Sequence, residues 1–167
     1  MGSYDQGKPE VVAWVREHFP AGSTILDVGA CDGLWRRLLP EYTMDAVEVW
    51  GPNWERLTGY RDAYNLDIQS FRYDWYDLII FGDVIEHLSV PDAQTVLEYA
   101  KPRCRDMIVA VQWKYKQGEC YGNPFERHIQ DDLTAALFAE RYPGFTILVD
   151  PGLPDYMYYH KHKEDGV

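Results

Sequence analysis

The sequence predicts an α/β fold with one open, doubly wound sheet, mostly parallel with an antiparallel C-terminal strand, and helices on both faces. Three observations predict it. Short apolar runs alternate with stretches of helical periodicity through most of the chain. The runs at residues 76–81 and 106–113 are apolar at nearly every position, as strands covered from both sides are. The last two strand-like runs are joined only by Pro151-Gly152-Leu153-Pro154, too short for a helical crossover, so they pair antiparallel.

Each element has a local cause. Residues 8–18 carry Val11, Val12, Trp14 and Val15 at helical spacing, and Pro20 and Gly22 stop that helix. Residues 24–28 (TILDV) form a strand that ends in the turn Gly29-Ala30-Cys31-Asp32-Gly33, and residues 34–39 (LWRRLL) form a helix closed by Pro40. The pattern then repeats as a strand at 44–49, a short helix at 53–57 after Pro52, and a short strand at 63–68. Residues 76–81 (YDLIIF) are the most apolar strand and belong at the centre of the sheet. A helix at 91–100 has proline in its first turn, and a strand follows at 106–113. A polar loop at 114–128 leads to a helix at 131–141, built on Leu133, Ala136, Leu137 and Phe138, and strands at 145–149 and 156–160 complete the fold.

At 167 residues the chain suits a single domain, with residues 1–22 as an N-terminal helix covering the pocket and 23–167 as the core. It holds 16 basic and 27 acidic residues, a formal charge of −11, and acids outnumber bases in both halves. The nearest approach to a basic patch, Lys101, Arg103 and Arg105, reads as a solvated helix end. Nucleic acid and anionic membranes are therefore not expected as partners. Cys31, Cys104 and Cys120 are odd in number and irregularly spaced, which fits neither a disulfide framework nor a CxxC metal site. That usage predicts a reducing, cytoplasmic setting, and a monomer or homodimer is expected.

In doubly wound sheets the ligand sits beyond the carboxyl ends of the strands, where the strand order reverses. Those ends are acidic here: Asp27, Glu48, Asp67 and Asp83 close four consecutive strands. The turn after Asp27 brings backbone N–H groups and a helix start toward a ligand. A carboxylate at Glu48 suits two adjacent ribose hydroxyls, because it can accept from both. A dinucleotide fingerprint would need glycines at 29, 31 and 34, where the chain has Gly29, Cys31 and Leu34. The acids would also repel a pyrophosphate and favour a cationic cofactor.

The stretches ILDVGACDG (residues 25–33), AVEV (46–49), LDI (66–68) and YDLIIFGDVIEHL (76–88) resemble the successive motifs of the class I S-adenosylmethionine-dependent methyltransferases, which have a Rossmann-like sheet. The resemblance implies that Asp27 and the turn through Gly29, Ala30, Cys31 and Gly33 hold the amino-acid end of S-adenosylmethionine. It gives Glu48, beside Val49, to the ribose, and Asp67 with Ile68 to the adenine. Asp83 and Val84 would line the methionine side. The family's turn usually reads G-x-G-x-G, and Cys31 stands at its middle glycine.

The activity so implied is methyl transfer by in-line displacement to oxygen or nitrogen of a small or medium-sized acceptor, with S-adenosylhomocysteine as product. The sulfonium is already a good leaving group, so the protein must align the acceptor, exclude water and sometimes remove a proton. His128 is the favoured proton acceptor and His87 the second candidate. The acceptor, a small molecule or a glycan or peptide group, is expected against Trp113, Tyr115, Tyr121, Glu126 and Arg127. His160 and His162 share one strand face without Cys or acidic partners at ligand spacing, so no metal site is expected. The alternatives are a non-catalytic S-adenosylmethionine binder of the same fold and, more distantly, a nicotinamide oxidoreductase.

Overall fold

The computed structural model describes residues 6–152 and 156–162. The strands are β1 (Thr24–Val28), β2 (Thr43–Val47), β3 (Ala63–Tyr64), β4 (Tyr76–Gly82), β5 (Cys104–Gln112), β6 (Thr146–Val149) and β7 (Tyr156–His162). They form one sheet in the order β3-β2-β1-β4-β5-β7-β6. From β3 to β5 all neighbours are parallel, while β7 is antiparallel to both β5 and β6. The predicted antiparallel connection therefore holds, although Leu153 and Pro154 of its linker lie outside the described residues.

The helices are α1 (Lys8–His18), α2 (Leu34–Leu38), α3 (Gly51–Trp54), α4 (Val90–Ala100) and α5 (Ala135–Arg141). Strand side chains alternate between two cores, as the two-residue period of a strand requires. Leu78, Ile80, Ile108 and Ala110 pack with Val11, Val12 and Val15 of α1 and Trp35 of α2. Ile79, Phe81, Val109 and Val111 pack on the other face with Ala93, Val96 and Leu97 of α4 and Phe138 of α5. The helix expected over the pocket thus spends its apolar stripe on the sheet face. Among the described residues no helix is long and apolar enough to cross a membrane.

Several elements end a residue or so early, and the helix predicted at 53–57 runs instead over Gly51–Trp54; β3 and α5 fall furthest short of their apolar patterns, and side-chain hydrogen bonds are the reason. β3 ends at Tyr64 because the Asn65 amide donates to the carbonyls of Glu48 (2.8 Å) and Val49 (3.0 Å), replacing ladder pairing. α5 starts at Ala135 because the Thr134 hydroxyl caps it, accepting from Leu137 N–H at 3.1 Å.

The two histidines of β7 have an acidic partner after all, supplied across the sheet rather than along the strand. His160 Nε2 and His162 Nδ1 each lie 2.7 Å from Asp106 Oδ1 on β5, and Arg105 donates to Oδ2 at 3.1 Å. Burial acts to raise the Asp106 carboxyl, but these three partners outweigh it and hold it at about 2. Since the folded-state value is depressed, the stabilisation is complete above the unfolded value and is lost as pH falls toward 2. Asp106→Asn should therefore cost about 2 kcal/mol near pH 6, and that cost should shrink between pH 4 and 2. Denaturant melts of both proteins across this range check it.

Candidate active site

The parallel register places the ends of β1, β2, β4 and β5 side by side, with Val28 opposite both Val47 and Phe81, and Gly82 opposite Ala110. Strand order reverses at β1. A cavity of about 610 Å³ opens beyond these ends.

The turn after β1 forms its floor. Gly29 has φ 72°, and a Cβ there would sit 2.5 Å from Val84 Cγ2 and 3.3 Å from the Gly82 carbonyl, so the turn passes where only glycine fits. Cys31 also takes a left-handed φ of 50°, a strained conformation for a side-chain-bearing residue at the place where the resembled motif has glycine. Its N–H donates to Glu48 Oε2, while Trp50 N–H donates to Glu48 Oε1, both at 2.8 Å. Burial raises the Glu48 carboxyl, and these two N–H groups oppose the shift. Burial, with Glu48 nearby, also pushes the Cys31 thiol up to about 11, so it stays protonated.

Gly29, Ala30, Cys31, Glu48, Val49, Asp67, Ile68, Asp83 and Val84 all line the cavity, whereas Asp27 and Gly33 do not. Asp27 is fully buried beneath the turn. Its Oδ2 accepts from Tyr60 Oη at 2.6 Å, and Oδ1 has no hydrogen-bond partner among the described residues. Burial pushes its carboxyl up to about 7 against the effect of Tyr60, with Glu48 and Asp32 adding to the rise. Gly33 serves the turn itself, at φ 75° as the N-cap of α2. Asp83 has a left-handed φ of 55° and donates its N–H to the Ala110 carbonyl at 3.1 Å. Its carboxylate contributes, after burial, to raising the Tyr156 phenol.

The opposite wall comes from the loop after β5. His128, Tyr115, Glu126 and Arg127 line the cavity together with His87, from the single 3-10 turn after β4. Two of the five predicted acceptor residues do not. Trp113 continues the β5 alternation of Met107, Val109 and Val111, and packs against that core beside Tyr159. Tyr121 is 89% exposed, at a left-handed turn position. Gln112, Gln117, Trp35 and Phe125 also line the cavity and were not predicted. Gln112 had a usable signal, because it closes a parallel strand. From the segment ahead of α1, Gln6 lines the cavity.

His87 and His128 meet edge to face with ring centroids 4.7 Å apart. His87 Nδ1 lies 3.1 Å from the Arg127 carbonyl, and His128 Nδ1 lies 2.7 Å from the Tyr115 carbonyl. Burial lowers His87 to about 4, with His128 assisting and the Arg127 and Asp83 carbonyls opposing. Burial lowers His128 as well. Glu86 is fully buried beside them, and burial with the nearby Asp83 charge holds its carboxyl well above the usual range.

The fold has close counterparts among solved structures. The DhpI complex with S-adenosylhomocysteine superposes with a TM-score of 0.73 at 15% identity, over 95% of this chain and 85% of that one. The 1,6-didemethyltoxoflavin-N1-methyltransferase of Burkholderia thailandensis, with 1,6-didemethyltoxoflavin and S-adenosylhomocysteine bound, gives 0.70 at 21% identity, over 96% and 80%. Magnesium protoporphyrin IX methyltransferase (ChlM) of Synechocystis PCC 6803, with S-adenosylmethionine bound, gives 0.65 at 15% identity, over 93% and 77%. The chain has the S-adenosylmethionine-dependent methyltransferase fold. No protein-family model matches it, and no curated protein matches it in sequence.

The state of Asp27 predicts a distinct pH response. Its folded-state value is raised, so between about pH 4 and 7 the unfolded chain has lost this proton while the folded chain keeps it, and stability declines as pH rises. Asp27→Asn should remove a decline on the order of 3 kcal/mol across that window. Denaturant melts at pH 4.5 and 8 measure it; parallel profiles for both proteins would contradict the buried, protonated state.

Proposed function

We propose that the chain is a methyltransferase, one domain that moves the methyl group of S-adenosylmethionine to oxygen or nitrogen of a small or medium-sized acceptor. One observation carries this reading. A single cavity at the strand-order reversal collects the turn after β1, Glu48, Asp67 with Ile68, and Asp83 with Val84. These are the positions the resembled motifs assign to the cofactor from end to end. Its volume of about 610 Å³ suits a nucleoside-sized ligand with an acceptor beside it. The three counterparts above contain S-adenosylmethionine or its product.

In this reading Glu48 accepts from the ribose hydroxyls, using the lone pairs that Cys31 and Trp50 leave available. Val49 and Ile68 flank the adenine, Asp67 takes its amino group, and Asp83 faces the positive methionine end. Asp27 acts from beneath, by fixing the turn. Bound S-adenosylmethionine supplies an activated methyl on a cationic sulfur. The protein's own share is to hold an acceptor lone pair in line, keep water out with Trp35 and Phe125, and draw off the acceptor's proton at the His87–His128 corner. Tyr115, Glu126 and Arg127 shape the acceptor space. Acidic charge argues against polyanionic substrates, and three cysteines, odd in number and irregularly spaced, fit a cytoplasmic setting, as monomer or homodimer.

Calorimetry with S-adenosylhomocysteine, followed by product release from S-adenosylmethionine with panels of hydroxyl and amine acceptors, tests the proposal. Binding with turnover of at least one acceptor class is expected. Glu48→Ala should weaken binding by about 1–3 kcal/mol. Binding without turnover on any acceptor would favour the non-catalytic binder, and no binding would remove both readings.

A further inference from the structure

We propose that Glu86, His87 and His128 form a binding site for one divalent transition-metal ion at the acceptor end of the cavity. The three residues come from two segments far apart in sequence, yet each offers a ligand atom and all these atoms lie within 4.8 Å of one another. In a formed site with metal–ligand bonds of about 2.1 Å, ligand atoms stand at most about 4 Å apart, so a small side-chain closure completes the set. Two imidazoles and a carboxylate suit zinc, iron, cobalt or manganese better than magnesium, which prefers oxygen and keeps its waters.

Two further observations point to a cation. Glu86 is fully buried, and its Oε2 has no hydrogen-bond partner among the described residues, while Oε1 accepts from Gln112 N–H at 3.2 Å. A buried carboxylate oxygen in that condition calls for a cation or a proton. The second is the orientation of the rings. His87 meets two carbonyls, of Arg127 and Asp83; a carbonyl oxygen can only accept, so at His128 the single Tyr115 carbonyl places the proton of the neutral ring on Nδ1. Nε2 then carries the lone pair, the arrangement in which backbone carbonyls orient metal-binding histidines.

The two segments are also fastened together. Ile129 N–H (2.8 Å) and Gln130 N–H (3.0 Å) both donate to the Glu86 carbonyl. The buried Gln130 amide donates to the carbonyls of Ile85 (2.8 Å) and Leu88 (3.1 Å). The donor set is thus built on rigid backbone. Because His87 and His128 line the cavity, coordination positions not filled by the protein face it. An oxygen-bearing acceptor bound there would lose its proton more readily. The role toward an acceptor rests on the methyltransferase reading; the ion site itself does not. It also replaces direct proton acceptance by His128, since one lone pair cannot serve both.

The test is cobalt(II) uptake by the full untagged chain, followed by equilibrium dialysis and by the visible d–d absorption of cobalt. One ion per chain is expected. His128→Ala and His87→Ala should each abolish saturable uptake while keeping the circular dichroism and metal-free melting temperature of the parent. His162→Gln, which alters the separate Asp106 cluster, should still bind one ion. No saturable uptake by the parent, uptake that survives His128→Ala, or uptake lost in His162→Gln would overturn the proposal. S-adenosylhomocysteine binding is read separately on the same samples. Binding of it without cobalt overturns the ion site alone, and cobalt without it upholds the site while removing the methyltransferase reading.

Discussion

The second wall of the cavity depends on how Gln130 ties the end of the loop after β5 to the turn after β4. A glutamine amide that is nearly fully buried must satisfy its donors and acceptor internally. It does so on the carbonyls of Ile85 and Leu88 and on the hydroxyl of Tyr142, so both the loop and α5 are fixed against that turn. The Ile129 and Gln130 N–H groups on the Glu86 carbonyl and the Lys114 N–H on the Leu133 carbonyl reinforce this knot in returning the residues from Lys114 to Arg127 to the sheet. With the knot, His128 is held against His87, Glu86 is sealed from solvent, and the second wall of the cavity exists.

Around that knot the electrostatics follow one pattern. Carboxylates are placed where water is scarce and cationic side chains are not supplied. Asp27, Glu48 and Glu86 are each raised, with burial as the largest cause. Contrast Asp45 and Asp106, equally buried but given partners: Arg61 and Tyr76 for the first, Arg105 and two histidines for the second. The partnered pair secures the sheet away from the cavity. Of the acids raised by burial only Glu48 lines the cavity, together with Asp67 and Asp83, and these three favour a positively charged occupant, which is the sense in which the chain's formal charge of −11 bears on function.

The sequence discloses most where periodicity and strand ends coincide. Val11, Val12 and Val15 mark α1, TILDV marks β1, and Asp27, Glu48 and Asp83 mark strand ends, because burial from two faces and the reversal of chain direction both leave local traces. What stays hidden depends on contacts between distant segments. Asn65 shortens β3 and Thr134 delays α5 through single hydrogen bonds that no apolar pattern records. Trp113 follows the parity of β5 into the core, a signal that was present in Met107, Val109 and Val111. The Asp106 cluster with His160 and His162 forms only through β5–β7 register, and the meeting of Glu86 with His128 requires the loop to fold back. Asp27 shows a different limit: a strand-end acid can be fully buried, with Tyr60 as its partner, instead of lining the cavity.

The most direct measurement is a crystal structure of the chain with S-adenosylhomocysteine at neutral pH. The ribose hydroxyls should lie on the Glu48 carboxylate, the adenine between Val49 and Ile68 with its amino group at Asp67, and the sulfur should point toward the His87–His128 corner. A ligand bound elsewhere, or one whose ribose leaves Glu48 contacting only Cys31 and Trp50, would contradict it.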